Sequence, residues 1–335
     1  MSSRVVASKT RPVAAGKTGD HEGTALATIS IVTGCYNEED NVAELAERVR
    51  AVLESIPGYE YEHIFIDNAS TDRTVAILRE ICAHDARVKV IVNTRNFGHV
   101  RSPYHGLLQA RGDAVCCIAA DLQDPPELIR EFVAKWEEGY KVVVGVKNQS
   151  LEKRSMFFVR GLYYRLINSL SEVPLIANFT GYGLYDRVVI DALREIDDPY
   201  PYFRGLVSDL GYEHIEIPYV QQRRERGVTK NSFYTLYDLA MLGITNHSKV
   251  PLRLAMMAGF LLSVLALGVS LIYLVLKLMF WQTFDMGLAP LLIGIYFFGS
   301  VQLLFIGILG EYIGSIHTQV YHRPHVVEKE RINFE

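Results

Sequence analysis

Three groups of residues in this chain have the types and spacing that chemistry requires. Asp121 and Gln123 lie two apart in the run Ala119-Ala120-Asp121-Leu122-Gln123-Asp124-Pro125-Pro126-Glu127. On an extended chain, residues two apart share a face. Together they would offer hard oxygen ligands to Mg²⁺ or Mn²⁺ bridging a diphosphate, and such a metal offsets charge on a departing nucleotide. The plainer reading is a strand-turn-helix connection, with Pro125-Pro126 opening a helix and Glu127 in its first turn. Asp67 precedes Asn68-Ala69-Ser70-Thr71-Asp72. A carboxylate there can accept the N–H edge of a nucleobase, whereas Asp72 suits a helix cap. Arg204, and the run 223–230 with Arg226 and Lys230, gather basic groups ahead of an apolar region. Guanidinium and ammonium groups beside a bilayer suit a phosphate headgroup. Charge that merely sets membrane topology is the alternative.

The elements that must position these residues follow from periodicity. Apolar runs at 27–34, 61–66, 88–92, 114–120 and 141–146 read as strands. Helical patterns fall at 42–53, 72–81, 104–111 and 128–137. The polar turn Tyr36-Asn37-Glu38-Glu39 follows the first strand, and Asp67 and Asp121 end the second and fourth. Alternation of this kind predicts an α/β fold with a mainly parallel sheet covered by helices. Its polar strand ends are where ligands bind.

A basic, aromatic stretch at 152–170 and an amphipathic one at 231–250 have the character of helices lying along a bilayer surface, or packed on the sheet. Residues 254–276 and 287–310 contain no charged side chain, and each is long enough to cross a hydrocarbon core. Arg223, Arg224, Arg226, Lys230, Lys249 and Arg253 precede the first span, and Arg323, Lys329 and Arg331 follow the second. The positive-inside rule then puts the body and the C-terminal segment in the cytoplasm. The expected organisation is a tail at 1–24, a catalytic body at 25–230, an interface helix at 231–250, two membrane helices within 251–314 and a cytoplasmic tail at 315–335. The tail at 1–24 lacks the apolar core of a secretory signal and reads as disordered.

The formal net charge of -4 argues against a nucleic-acid partner. The four cysteines, Cys35, Cys82, Cys116 and Cys117, form no CxxC pair or zinc spacing, which suits buried thiols in a reducing compartment. Two spans without internal polar groups offer a transporter no pathway.

In this order, the chain resembles the family 2 glycosyltransferases, and among them the polyprenyl-phosphate glycosyltransferases that include dolichyl-phosphate mannose synthases. The resemblance rests on Tyr36-Asn37-Glu38-Glu39, Asp67 with Ser70-Thr71-Asp72, Arg95-Asn96-Phe97-Gly98, the run from Ala120 to Glu127, Arg226-Gly227 with Thr229-Lys230, Pro251-Leu252-Arg253 and Gly310-Glu311-Tyr312-Ile313-Gly314. It implies a GT-A-type fold, an inverting reaction, Mg²⁺ or Mn²⁺, a nucleotide diphosphate-sugar donor (a UDP-sugar), a polyprenyl phosphate acceptor and assembly into homo-oligomers. It implies a two-pass protein of the inner membrane. Tyr36, Asn37, Glu38, Asp67 and Asp121 would line the nucleotide pocket. Asp121 and Gln123 would hold the metal. Arg204, Arg226 and Lys230 would meet the acceptor phosphate, and with Asp121 they form the expected catalytic set.

The chain departs from the family pattern at four positions. Asn68 and Ala119 stand where the family usually has aspartates, and Gly181 and Gly183 where it has an aspartate and an arginine. A lipid phosphate is already ionised near neutral pH, so an acceptor of that kind needs no strong base, whereas an alcohol would. A catalytically weak nucleotide-binding scaffold and a transferase to another lipid-linked acceptor are the competing readings.

Overall fold

The computed structural model describes residues 26–149, 176, 178–196, 198–222, 241, 245, 248–280, 288–321 and 323–334. The expected tail at 1–24 and interface helix at 152–170 lie outside these residues, as does most of 231–250.

One eight-stranded sheet organises the body. Its strands are β1 (Ala27–Cys35), β2 (Tyr59–Asp67), β3 (Val88–Asn93), β4 (Ala114–Ala119), β5 (Val142–Gln149), β6 (Phe179–Asp186), β7 (His214–Val220) and β8 (Glu328–Ile332). Their order is β7-β5-β6-β4-β1-β2-β3-β8. Strands β1 to β4 are mutually parallel, β6 runs against both β4 and β5, and β8 runs against β3. The five expected strands form, but β5 does not extend the parallel run directly, because β6 intervenes. Chain order reverses direction across the sheet between β1 and β4, and a crevice outside the carboxyl ends of strands at such a switch point is a ligand site.

The helices of the body are α1 (Val42–Glu54), α2 (Thr74–His84), α3 (Gly98–Gln109), α4 (Ile129–Glu137), α5 (Arg187–Glu195) and α6 (Phe203–Asp209). Period-two alternation divides the buried strand residues between two faces. Ile31, Phe65, Val90 and Cys116 pack under Leu45 of α1, Leu78 of α2 and Phe132 of α4. Val32, Ile64, Ile66 and Val115 pack under Leu107 of α3, Ile190 of α5 and Leu206 of α6.

Two further helices, α7 (Val250–Met279) and α8 (Leu288–Val320), extend from the body. At a rise of 1.5 Å per residue they are about 45 and 50 Å long. No residue of α7 is buried, and both helices are long and apolar enough to cross a membrane. The Tyr312 hydroxyl donates to the Ser248 carbonyl at 2.6 Å, aligning the body end of α8 with the start of α7.

After α8 the chain returns to the sheet. The segment 328–332, expected as part of a cytoplasmic tail, is instead the edge strand β8. Arg79 and Glu330 form a two-point ion pair, and Asn333 Nδ2 donates to the carbonyls of Cys82 and Val88, each at 2.9 Å. His325 Nε2 bonds the Asp198 carbonyl at 2.9 Å, and its ring lies 5.2 Å from that of Tyr104.

Candidate active site

The loops that follow β1 and β2 are joined by side-chain to backbone hydrogen bonds. The Asn37 N–H donates to Ser70 Oγ and Asn37 Oδ1 accepts the Thr71 N–H, both at 2.8 Å. The Glu38 N–H donates to Thr74 Oγ1 at 2.9 Å, and the Glu39 N–H to Asp72 Oδ2 at 3.3 Å. Glu39 Oε2 in turn accepts the Arg73 N–H at 2.9 Å. Asn37 and Ala69 sit at φ values of 53° and 62°, a left-handed region that asparagine tolerates better than most residues. Tyr36, Asn37 and Glu38 are half-buried on this platform.

Asp67 is fully buried at the end of β2. Its Oδ2 accepts the Ser70 N–H at 2.9 Å, and its Oδ1 accepts the Ser70 hydroxyl. Burial raises its carboxyl above the usual value, against the pull of those bonds. In this conformation Asp67 clamps its own loop.

Asn68 explains its own departure from the family pattern. Its Nδ2 donates to Asn96 Oδ1 at 2.9 Å and to the Gly98 carbonyl at 3.0 Å, while its Oδ1 accepts the Phe97 N–H at 2.8 Å. One side chain must both donate and accept, which an ionised aspartate cannot do.

Beyond β4 the chain does not stay extended. Leu122 takes a φ of 57°, and the Gln123 N–H turns back to Asp121 Oδ1 at 3.2 Å. Asp121 and Gln123 are therefore brought together by a turn, and not by the strand alternation expected from sequence. The Gln123 Nε2 donates to the Gln222 carbonyl at 3.3 Å, so a metal at this residue would be met by its Oε1. Glu127 does not simply cap a helix: its carboxylate takes two hydrogen bonds from Arg48 of α1, at 3.0 and 2.8 Å.

No group of three His, Cys, Asp or Glu residues suited to a metal occurs among the described residues. Ala119 leaves Asp121 as the carboxylate of this turn. Mg²⁺ is commonly held by one or two carboxylates plus substrate phosphates. Asp121 with Gln123 fits that pattern when a diphosphate supplies the remaining oxygens.

A cavity of about 340 Å³ opens beside this turn, at the β1/β4 switch point. Its walls include Val32 and Gly34 of β1, Cys117 to Ala119 of β4, His99 and Pro103 of α3, Thr180 to Tyr182 of β6, and Tyr202 to Arg204. Ala119 and Gly181, two of the departures, both line it. Gly181 has a φ of +101°, which only glycine adopts freely. Gly183, the third, lies within the sheet, where an added Cβ would stand 2.5 Å from the Val143 carbonyl oxygen. Arg204 enters the cavity wall while its Nη1 donates to the Phe179 carbonyl at 3.3 Å. Arg226 and Lys230 lie outside the described residues.

Sequence reasoning did not single out Asp124 or His99. Asp124 is buried, lines the cavity and accepts the Tyr219 hydroxyl. Burial raises its carboxyl, although Tyr219 and the charge of Lys147 oppose this. Its place in the Asp-Leu-Gln-Asp run was a signal, but its partner is 95 residues away. His99 carries no local signal, since only folding places it opposite Arg204.

A sheet with its switch point between β1 and β4, two zipped strand-end loops and an acidic turn beyond β4 form a GT-A-like architecture. The profile of the family described as "Glycosyl transferase family 2" matches residues 30–193. The uncharacterized glycosyltransferase YkcC of Bacillus subtilis is 38% identical over 304 residues, covering 90% of this chain and 93% of that protein. The bactoprenol glucosyl transferase of Shigella phage SfV is 32% identical over 308 residues, covering 90% of this chain and 99% of that protein. An uncharacterized glycosyltransferase of Synechocystis is 33% identical over 297 residues, covering 88% and 93%. The chain belongs to glycosyl transferase family 2 and is an enzyme.

Proposed function

We propose that this enzyme transfers a hexose, with inversion, from a UDP-sugar to a polyprenyl phosphate at the cytoplasmic face of a membrane. The observation that carries this reading is the cavity at the β1/β4 switch point. It presents Arg204, it has no acid at positions 119 and 181, and its carboxyl group, Asp124, is buried against the Tyr219 hydroxyl. A site without a strong base at those positions favours a nucleophile that is already ionised, and a phosphate monoester has a second pKa of ~6. The similarity to a protein named for bactoprenol glucosyl transfer supports the same acceptor class.

The platform of Tyr36, Asn37 and Glu38 is suited to hold the nucleoside, with Asp67 contributing by fixing the loop beneath it. A phosphate oxygen of the acceptor attacks C1 of the sugar as the bond from C1 to the donor diphosphate breaks. The bonding electron pair leaves with the nucleoside diphosphate, and no proton need be removed from the attacking oxygen. Arg204 holds the acceptor phosphate in line, with Arg226 and Lys230 assigned the same role. Asp121 and Gln123 would hold a Mg²⁺ or Mn²⁺, whose chemistry is to stabilise the charge gathering on the diphosphate.

The test is incubation of the purified full-length protein with radiolabelled nucleotide sugars, polyprenyl phosphate and Mg²⁺ or Mn²⁺, followed by lipid extraction. Labelled lipid with stoichiometric release of UDP is expected. Transfer to a lipid alcohol or a lipid-linked saccharide, but not to the phosphate, would overturn the reading.

A further inference from the structure

We propose that His99, facing the same cavity as Arg204, is a second and ionisable contact for the acceptor's phosphate monoester. This deepens the reading above and rests on it.

His99 is the second residue of α3, and it stands in the cavity wall supplied by that helix. Arg204, the second residue of α6, stands in the wall supplied by another element. His99 is exposed to solvent and Arg204 half-buried, so both are reachable from the opening. Much of the remaining lining is apolar, including Val32, Pro103, Leu107, Ile118 and Phe203. An arginine and an imidazole in a largely apolar concavity suit a compact anion better than a neutral sugar ring. The fork of the guanidinium has five N–H donors, of which one goes to the Phe179 carbonyl.

The other titratable groups around the cavity are Tyr104 of α3, Cys117 of β4, Tyr182 of β6, Tyr202 beside α6 and Asp124 beyond β4. Asp124 is buried against the Tyr219 hydroxyl. Burial raises the Cys117 thiol to about 12, and it raises Tyr182 and Tyr104 as well, so these three stay neutral near pH 7. Crowding in the concavity, then the positive charge of Arg204, lowers His99 below its ordinary value. With the cavity empty, His99 is therefore mostly neutral at pH 7. A dianionic phosphate entering between the two would offset the charge of Arg204 and favour the imidazolium. Phosphate binding thus carries a proton onto His99, and an anion held by a charged donor is bound more tightly than one held by a neutral donor.

The experiment uses the full-length protein in nanodiscs with farnesyl phosphate as probe. Farnesol, inorganic phosphate and UDP are run in parallel. Wild type, His99→Gln and His99→Lys are compared from pH 6 to pH 8, with thermal unfolding as a folding control. His99→Gln is expected to weaken farnesyl phosphate roughly ten- to a hundredfold at pH 6, on the scale of one charge-assisted hydrogen bond. UDP affinity stays unchanged. Wild type gains affinity as pH falls, relative to His99→Gln, and His99→Lys keeps the affinity but loses that dependence. Weaker binding of inorganic phosphate with the same pH dependence places the recognition in the phosphate group itself. Equal binding of farnesol and farnesyl phosphate, or an unchanged pH profile in His99→Gln, overturns the proposal. So does an equal loss for UDP, which would make the cavity a donor subsite. If the wild type binds farnesyl phosphate in this way but transfers no sugar to it, the subsite stands and the acceptor reading falls. If transfer occurs and His99→Gln leaves it untouched, the subsite falls and the acceptor reading stands.

Discussion

Asn68 holds the 96–98 loop by donating to two oxygens and accepting one N–H. Replacing it with aspartate sets a carboxylate oxygen 2.9 Å from Asn96 Oδ1. Asn68→Asp is expected to destabilise the body by roughly 1–3 kcal/mol, the cost of an unmade buried hydrogen bond. A lowered midpoint in thermal unfolding checks this. His63 gives a pH signature. Burial in β2 pushes it from 6.5 down to about 3, and its Nε2 pairs with Thr33 Oγ1 at 2.9 Å. The native form is neutral, whereas the unfolded imidazole gains a proton as pH falls below about 6.5. Stability is therefore full above that value and declines toward pH 3, by roughly 1.4 kcal/mol per unit. Urea midpoints between pH 8 and pH 4.5 should show the decline, and His63→Gln should flatten it. At this scale the sequence announced residue types but not their partners. The pairing of Asp121 with Gln123 was legible, yet the turn that makes it was not, because leucine at a φ of 57° has no local signature. The full burial of Asp67 was equally hidden, since it depends on Cys35 and Ser70 closing over it.

Among the elements, β1 to β5 and α1, α2 and α4 follow directly from apolar periodicity, within a few residues at their ends. Strand β6 escaped that reading because Gly181 and Gly183 interrupt its pattern. Its glycine at 183 is required by the neighbour strand: an added Cβ would also lie 3.2 Å from the Tyr185 hydroxyl. Gly183→Ala is expected to cost about 1–3 kcal/mol through overpacking, seen as a lower unfolding temperature. A side chain as large as arginine would not fit at this position without moving β5. Strand β8 has no apolar signal either, since its sequence is Glu-Lys-Glu-Arg-Ile. Charged residues are what an edge strand can carry, and only the pairing with β3 identifies it.

For the whole molecule, the two long apolar helices were the most legible feature, and the positive-inside rule gives them a testable orientation. Met279→Cys, at the far end of α7, should react with a membrane-impermeant maleimide in intact cells. Lys329→Cys, exposed on β8, should react only after permeabilisation. Cys35, Cys82 and Cys116 are buried and add little background, whereas Cys117 lines the cavity and is replaced by serine first. The reverse labelling pattern would invert the orientation.

The return of β8 to the sheet makes the helical hairpin an insertion within the catalytic body rather than an appendage on one tether. A body hung from a single linker can swivel and lift away from its anchor. Here the chain is tied on both sides of the hairpin: Tyr312 bonds Ser248 across its base and β8 pairs with β3, so such swivelling is restricted. His325 bears on Tyr104, which lines the cavity, and on the loop between α5 and α6 at Asp198, so strain carried along the returning segment would reach the cavity wall through these two contacts.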